Sequence, residues 1–367
     1  MKKLLALLLV TFLILSCGSC LGEAADGETA DFPEVFKDAD IKIAVIRNDG
    51  SSDHCSQMFQ GAVMRGESFG FQVDTMITNS DDVRFQDLVQ QCIESDYDAL
   101  FLSHGKQEYS YDLVQKVVEA GIPVVTFDTL PYDADGNAPE GVTVMQQDDY
   151  SLARDSLDAL IQYCQEELGV TTPKIITNFY GPGVPPLDRR NEILTEYVEA
   201  GKVELIDTVV ATDPTNYIGD FQAKFAAMLN KYPTGSFDAF WSVADVYCQG
   251  CYLAAEDVGR LGEFPFFSID ASTTDIEYMR RENSPWMTCS AVDAALIGDV
   301  GVRILAKKLA GEETPETYDF ACQTFWQGDL QEDTNITNLG NVVEGWGVSE
   351  DFWEPWMDAL EAYVAAE

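Results

Sequence analysis

Positive charge is scarce in this chain: 22 Lys and Arg stand against 63 Asp and Glu, a formal net charge of −41 over 367 residues. So acidic a chain repels a phosphate backbone, because nucleic-acid affinity comes mainly from Lys and Arg displacing counterions. No nucleic-acid partner is expected. Histidine is scarcer still, with His54 and His104 only. Two histidines offer little acid–base chemistry, and no Walker loop, dinucleotide glycine fingerprint or Ser-His-Asp order is present. An enzyme is not expected; its one foothold is the Cys248-x-x-Cys251 pair in "YCQGCY". A structural zinc there would want a second such pair or two histidines, so neither metal nor cofactor is expected. Long apolar runs are missing beyond the start. There "MKK" precedes "LLALLLVTFLIL" and "ILSC" ends at Cys17, too short for a membrane span and laid out as a secretory signal. Export permits disulfides among the other eight cysteines, with pairing that sequence cannot assign. Cys92, Cys164 and Cys289 lie in apolar patterns that read as buried thiols.

What is present is 46% apolar residues, ample for a core, on a chain long enough for two domains. After the small, acidic, tether-like segment up to residue 39, apolar strand-like runs alternate with helix-period segments. "IKIAVIRN", "FQVDTMIT", "YDALFLS" and "IPVVTFD" are read as strands, with helices over 56–70, 82–95 and 110–121 between them. After "TLPYDADGNAPEG", read as an acidic turn, the alternation restarts. Strands are expected near 142–145, 174–179, 203–210, 237–242, 264–269 and 286–291. Helices are expected near 150–168, 188–200, 219–231, 246–260, 273–282 and 294–310. This order predicts an α/β protein with parallel sheets covered on both faces. Ligands of such sheets bind outside the carboxyl ends of the strands. The residues to watch are therefore Arg47, Asn48, Ser103, Asp128, Tyr180, Ala244, Asp245 and Asp270. Asp128 stands out, because a carboxylate closing a buried strand is costly unless something meets it.

The ordered set "GAVMRGESFGFQV", "DYDALFLS", "AGIPVVTFD", "ADVYCQGCYLAAEDVGR", "FFSID" and "DAALIGDVGVRILAKKLAGEETP" resembles the ribose/galactose-type periplasmic binding proteins of sugar ABC importers, over about residues 40–325. The resemblance implies the type 1 fold, two doubly wound parallel-sheet lobes joined by three crossings near 146–148, 292–293 and 322–324. One lobe would comprise 40–146 and 293–322, the other 147–292 and 323–367, with the aromatic helix at 351–360 packed on a lobe. The opening residues resemble a bacterial lipoprotein signal over 1–17, with Cys17 the lipid-bearing residue and 18–39 a flexible tether; an ordinary cleaved signal is the alternative. The implied protein is a lipid-anchored, extracytoplasmic monomer at the bacterial cell membrane. It would capture a sugar or polyol and deliver it to an ABC permease and its ATPase. A sensing module for a chemoreceptor or histidine kinase is the alternative.

The resemblance also implies site residues. Asp128 matches an aspartate that accepts sugar hydroxyls, its alternative being a cap or loop bond. Thr129 stands where ribose binders carry arginine. Ser103 matches an asparagine position or ends its strand in a turn. His54 and Cys55 replace paired stacking aromatics, and Asn48 lies in the same strand–helix turn. Arg189 or Arg190 enters the cleft from a helix start, the other being a surface residue. Tyr217 falls near a cleft aromatic. Trp241 ends a strand beside the cleft, Asp245 is a ligand residue or N-cap, and Asp270 matches a ligand aspartate of the second lobe.

Overall fold

The computed structural model describes residues 32–48, 52–182, 184–213 and 216–366. The expected signal, Cys17 and residues 18–31 of the tether lie outside them.

Buried β-branched and aromatic runs form the central strands. In chain order the first half gives β1 (Lys42–Arg47), α1 (Asp53–Ser68), β2 (Gln72–Ile77), α2 (Asp82–Ile93), β3 (Ala99–Ser103), α3 (Gln107–Glu119), β4 (Val124–Phe127) and β5 (Thr143–Gln147). The second half gives α4 (Asp149–Tyr163), β6 (Lys174–Phe179), α5 (Pro185–Glu199), β7 (Glu204–Val210), α6 (Tyr217–Lys231), β8 (Ala239–Ser242), α7 (Asp245–Asp257), β9 (Phe266–Ile269), α8 (Thr273–Met279) and β10 (Trp286–Ala291). Then follow α9 (Ala294–Leu309), β11 (Thr317–Phe320), β12 (Gln323–Trp326) and α10 (Pro355–Val364). Side-chain acceptors on Ser52, Asp81, Asp148, Asn216 and Ser272 cap the helices that follow them.

Two six-stranded sheets result, in the orders β11-β5-β4-β3-β1-β2 and β12-β10-β9-β8-β6-β7. Each central strand is buried along its whole length, as sheets covered on both faces require. Apart from β12, which runs antiparallel to β10, the pairings are parallel. The orders superpose term by term, so β4 of the first lobe corresponds to β9 of the second. The chain changes sheets after β5, between β10 and α9, whose apolar face packs into the first core, and between β11 and β12.

The tail departs from the expected placement of 323–367 on the second lobe. Residues Phe325, Ile336, Leu339, Val343 and Trp346 do pack in the second-lobe core. Met357 and Leu360 of α10 are instead fully buried in the first-lobe core with Phe36 and Phe71. Trp356 stacks on Phe36 with ring centroids 5.4 Å apart and donates its indole N–H to Glu312 at 2.7 Å. The aromatic face of this helix finds its apolar partner on the first lobe. Among the described residues no helix is long and apolar enough to cross a membrane.

Candidate functional site

Asp128 and Asp270 occupy equivalent places, one residue past β4 and one past β9. Both adopt left-handed backbone, with φ of 47° and 68°, a conformation uncommon outside glycine and worth scrutiny at a strand end. Each backbone N–H donates to the next strand, Asp128 to the Met145 carbonyl at 3.1 Å and Asp270 to that of Ser290 at 2.9 Å. The sheets thus hold both carboxylates at the strand lips. Their fates differ. Asp270 receives a two-pronged donation from Arg190, Nη1 at 2.7 Å and Nη2 at 3.0 Å. Asp128 is buried, and its Oδ1 has no hydrogen-bond partner. Nη2 of Arg189 stands 3.9 Å from that oxygen, across from the other lobe. Burial pushes the Asp128 carboxyl up to about 7, helped by the Asp149 charge and opposed by Arg189, Arg190 and Arg47.

The arginines are set by α5. Two prolines open this helix, fixing its first turn, and Arg189 and Arg190 follow in its second turn. Both guanidiniums converge on Asp149, the first residue of α4. Arg189 reaches Oδ2 at 2.6 Å and Arg190 reaches Oδ1 at 2.7 Å. Arg190 also donates to the Val243 carbonyl at 2.8 Å. Neither arginine is the surface residue that the helix pattern left open: Arg190 is buried and Arg189 nearly so. Asp149 was not singled out in the sequence, although it organises both.

The first-lobe side is built around Arg47, buried at the end of β1. Nη1 lies 3.1 Å from His54 Nδ1, and Nη2 lies 3.3 Å from His104 Nε2. Arginine can only donate, so the ring nitrogens that face it act as acceptors. The other His104 nitrogen then donates to Ser103 Oγ at 2.6 Å, while Nε2 stands 3.9 Å from Asp128 Oδ2. The His54 ring lies nearly parallel to Phe127, with centroids 6.3 Å apart. His104 was not singled out in the sequence; the signal for it there is position, the residue after Ser103 and one of two histidines.

Several expected ligand residues are otherwise engaged. Asn48 is buried; its amide donates to Asp82 at 2.7 Å and its oxygen accepts from Thr78 at 2.6 Å. Trp241 is fully buried in the second core, its indole N–H donating to Ser156 at 3.0 Å. The ring occupies the sheet face under α4 and not the cleft. Thr129 is buried and accepts from the Gly105 N–H at 2.8 Å. Asp245 follows the N-cap position, and burial beside Asp275 pushes its carboxyl well up; it hydrogen-bonds Asp275, which also caps α8. Tyr217 belongs to an aromatic group with Tyr180 and Tyr247, centroids 5.3 and 5.4 Å away.

A site with carboxylates and guanidiniums at facing strand ends suits capture of a polar solute. Residues 43–313 match the family model described as a periplasmic binding protein domain. The chain belongs to the periplasmic binding protein family. This binding protein is 38% identical to a sugar ABC transporter protein from Yersinia enterocolitica, covering 91% of this chain and 99% of that one with a TM-score of 0.81. It shares its fold with a 5-methylthioribose transporter solute-binding protein from Thermotoga lettingae, solved with 5-methylthioribose (21% identity, 88% and 99% covered, TM-score 0.77). It also shares its fold with a solute-binding protein from Actinobacillus succinogenes bound to D-allose (16% identity, 78% and 98% covered, TM-score 0.69). No curated protein sequence matches it. Members of this family bind and hand over solutes without transforming them, and the chain is a binding protein, not an enzyme.

One bond closes the periplasmic binding protein across its cleft. Asp53, the first residue of α1, accepts the backbone N–H of Thr273 in the other lobe at 2.7 Å. Asp53→Ala is expected to weaken ligand affinity about tenfold, the worth of one charge-assisted bond, through faster release. Stopped-flow dissociation checks this, and an unchanged release rate refutes it. The thiols give a further expectation. Cys248 and Cys251 are fully buried and unbridged, and burial raises both far from the thiolate. Native-state alkylation with peptide mapping is expected to leave both unmodified; rapid labelling of either would restore the dithiol reading.

Proposed function

We propose that this protein is an extracytoplasmic solute-binding lipoprotein that captures a sugar or related polyol between its lobes and delivers it to an ABC permease and its ATPase. The observation that carries the reading is the buried Asp128 Oδ1, an acceptor without a donor, with Arg189 3.9 Å away on the facing lobe. An ionised carboxylate offers only acceptor sites, which a pair of ligand hydroxyls satisfies, and a guanidinium supplies the donors for a ligand oxygen. Asp270, Arg190 and Asp245 shape the second-lobe wall behind Arg189. His54 and Tyr217 offer ring faces, and Ser103 acts through His104. Closure on the ligand creates the form that the permease reads. The sugars bound by family neighbours, 5-methylthioribose and D-allose, support the same ligand class.

The basic and apolar opening segment ending at Cys17 supports lipid anchoring, and a self-contained pair of lobes supports a monomer. A thermal-shift screen of pentoses, hexoses, polyols and thio-substituted ribosides tests the ligand. A compound at 100 times its dissociation constant adds about 2.7 kcal/mol. Absence of any shift across the panel would sink the reading. Labelling with a radioactive fatty acid tests the anchor, with loss expected in Cys17→Ala.

A further inference from the structure

The chain crosses between the lobes a fourth time. Trp346 is buried in the second-lobe core, its ring edge-on to Phe325 at 5.8 Å. Three residues later the chain is held by the first lobe. Arg303 of α9 donates to the Ser349 carbonyl at 2.7 Å and to that of Asp351 at 3.2 Å. The Tyr318 hydroxyl donates to Asp351 Oδ2 at 2.6 Å, and Phe352 packs edge-on to the Tyr318 ring at 4.9 Å. The guanidinium of Arg303 also covers Trp353 at 5.0 Å, and α10 beyond is buried in the first core.

This segment lies against the other crossings. A methyl group on Gly347 would stand 2.6 Å from Asp293 Oδ2, at the β10–α9 crossing. One on Gly345 would stand 2.7 Å from Gln323 Nε2, just past the β11–β12 crossing. Both glycines have left-handed backbone, φ of 79° and 70°, which no other residue adopts as readily. They flank the Trp346 anchor and let the chain turn close against the other crossings.

We propose that residues 345–351 act as a short inextensible tie that limits how far and in which direction the two lobes separate. From Trp346 to Ser349 the chain spans at most about 10 Å when fully extended. The two anchors therefore cannot move apart beyond that length unless a buried tryptophan or the Arg303 bonds are lost. Because the tie runs beside two hinge strands, it allows a jaw-like rotation but opposes twisting and sliding of one lobe over the other. The empty protein then samples a narrow range of open forms.

The test lengthens the tie while keeping both anchors. A Gly-Ser linker of about twelve residues, with a root-mean-square span of about 20 Å, is inserted between Val348 and Ser349. Spin labels on exposed Asp112→Cys and Thr195→Cys, in a Cys322→Ser background, report interlobe distance in the ligand-free protein by pulsed electron resonance. The distance distribution is expected to broaden by about half or more as the linker frees the anchors. A second variant carries a specific protease site at the same point and is measured before and after cutting, so that one folded molecule serves as its own control. Broadening on cutting is expected. Superimposable distributions in either comparison would overturn the proposal.

Discussion

Asp128→Asn is expected to abolish capture and, at the same time, to stabilise the empty protein at neutral and higher pH. The two effects share one cause. The carboxyl is buried, one oxygen lacks a hydrogen-bond donor, and burial pushes it up to about 7. Its folded-state value thus lies above its unfolded value near 4. The sign follows: the protonated form favours folding, so this contribution is fully present below about pH 4 and is lost as pH rises through about 7. An amide never ionises, so the variant keeps that stability at pH 8, and its stability-against-pH curve is flatter than the parent's between 4 and 7. Ligand binding moves the other way. Hydroxyls that donate to the ionised carboxylate favour the charged form, so affinity is expected to rise as pH passes upward through about 7. Losing a charged acceptor for two hydroxyls costs roughly 100-fold in affinity. Calorimetric titration at pH 6 and 8, beside thermal melts of the ligand-free pair, checks both halves. An Asp128→Asn protein that binds normally, or melts below the parent at pH 8, contradicts this account.

Arg190→Ala is expected to produce the largest loss of stability of any cleft substitution, about 3–5 kcal/mol. The guanidinium holds Asp149, Asp270 and the Val243 carbonyl together. Its removal leaves Asp270 without its two-pronged donor and puts the whole burden of Asp149 on Arg189. Burial already raises the Asp149 carboxyl against the two guanidiniums, so the carboxyl climbs further and unfolding becomes easier as pH rises. The urea midpoint measures the loss. Pairing Arg190→Met with Asp270→Asn is expected to recover part of it, since a neutral cleft wall no longer strands a charge. If the double variant is no more stable than Arg190→Ala, uncompensated charge is not the reason for the loss.

Much of the fold is legible in the sequence, because parallel sheets print themselves as apolar runs separated by helix-period segments. Every expected strand from "IKIAVIRN" to the one near 286–291 has its counterpart in β1 to β10. Asp128 and Asp270 were legible for a local reason: a charged residue closing an otherwise apolar strand. Asp149 was not, since an acidic residue at a helix start is ordinarily a solvated end. What makes it structural is a pair of arginines 40 residues away in sequence. Trp241 was misplaced because alternation along β8 does not say which face looks toward the cleft and which toward α4. The return of α10 to the first lobe was hidden likewise, since its apolar face fits either core until the partner surface is known.

The matched aspartates past β4 and β9 set an order in time. In the second lobe the carboxylate already has its guanidinium from the same lobe, so that half presents a finished surface. In the first lobe the equivalent oxygen waits for a donor from outside. On the proposed reading an incoming solute is expected to dock first on the Asp128 side, and the second half to arrive afterwards with Arg189. Rapid-mixing traces should accordingly resolve a concentration-dependent docking step followed by a concentration-independent one, with Asp128→Asn removing the first and Asp53→Ala altering only the second.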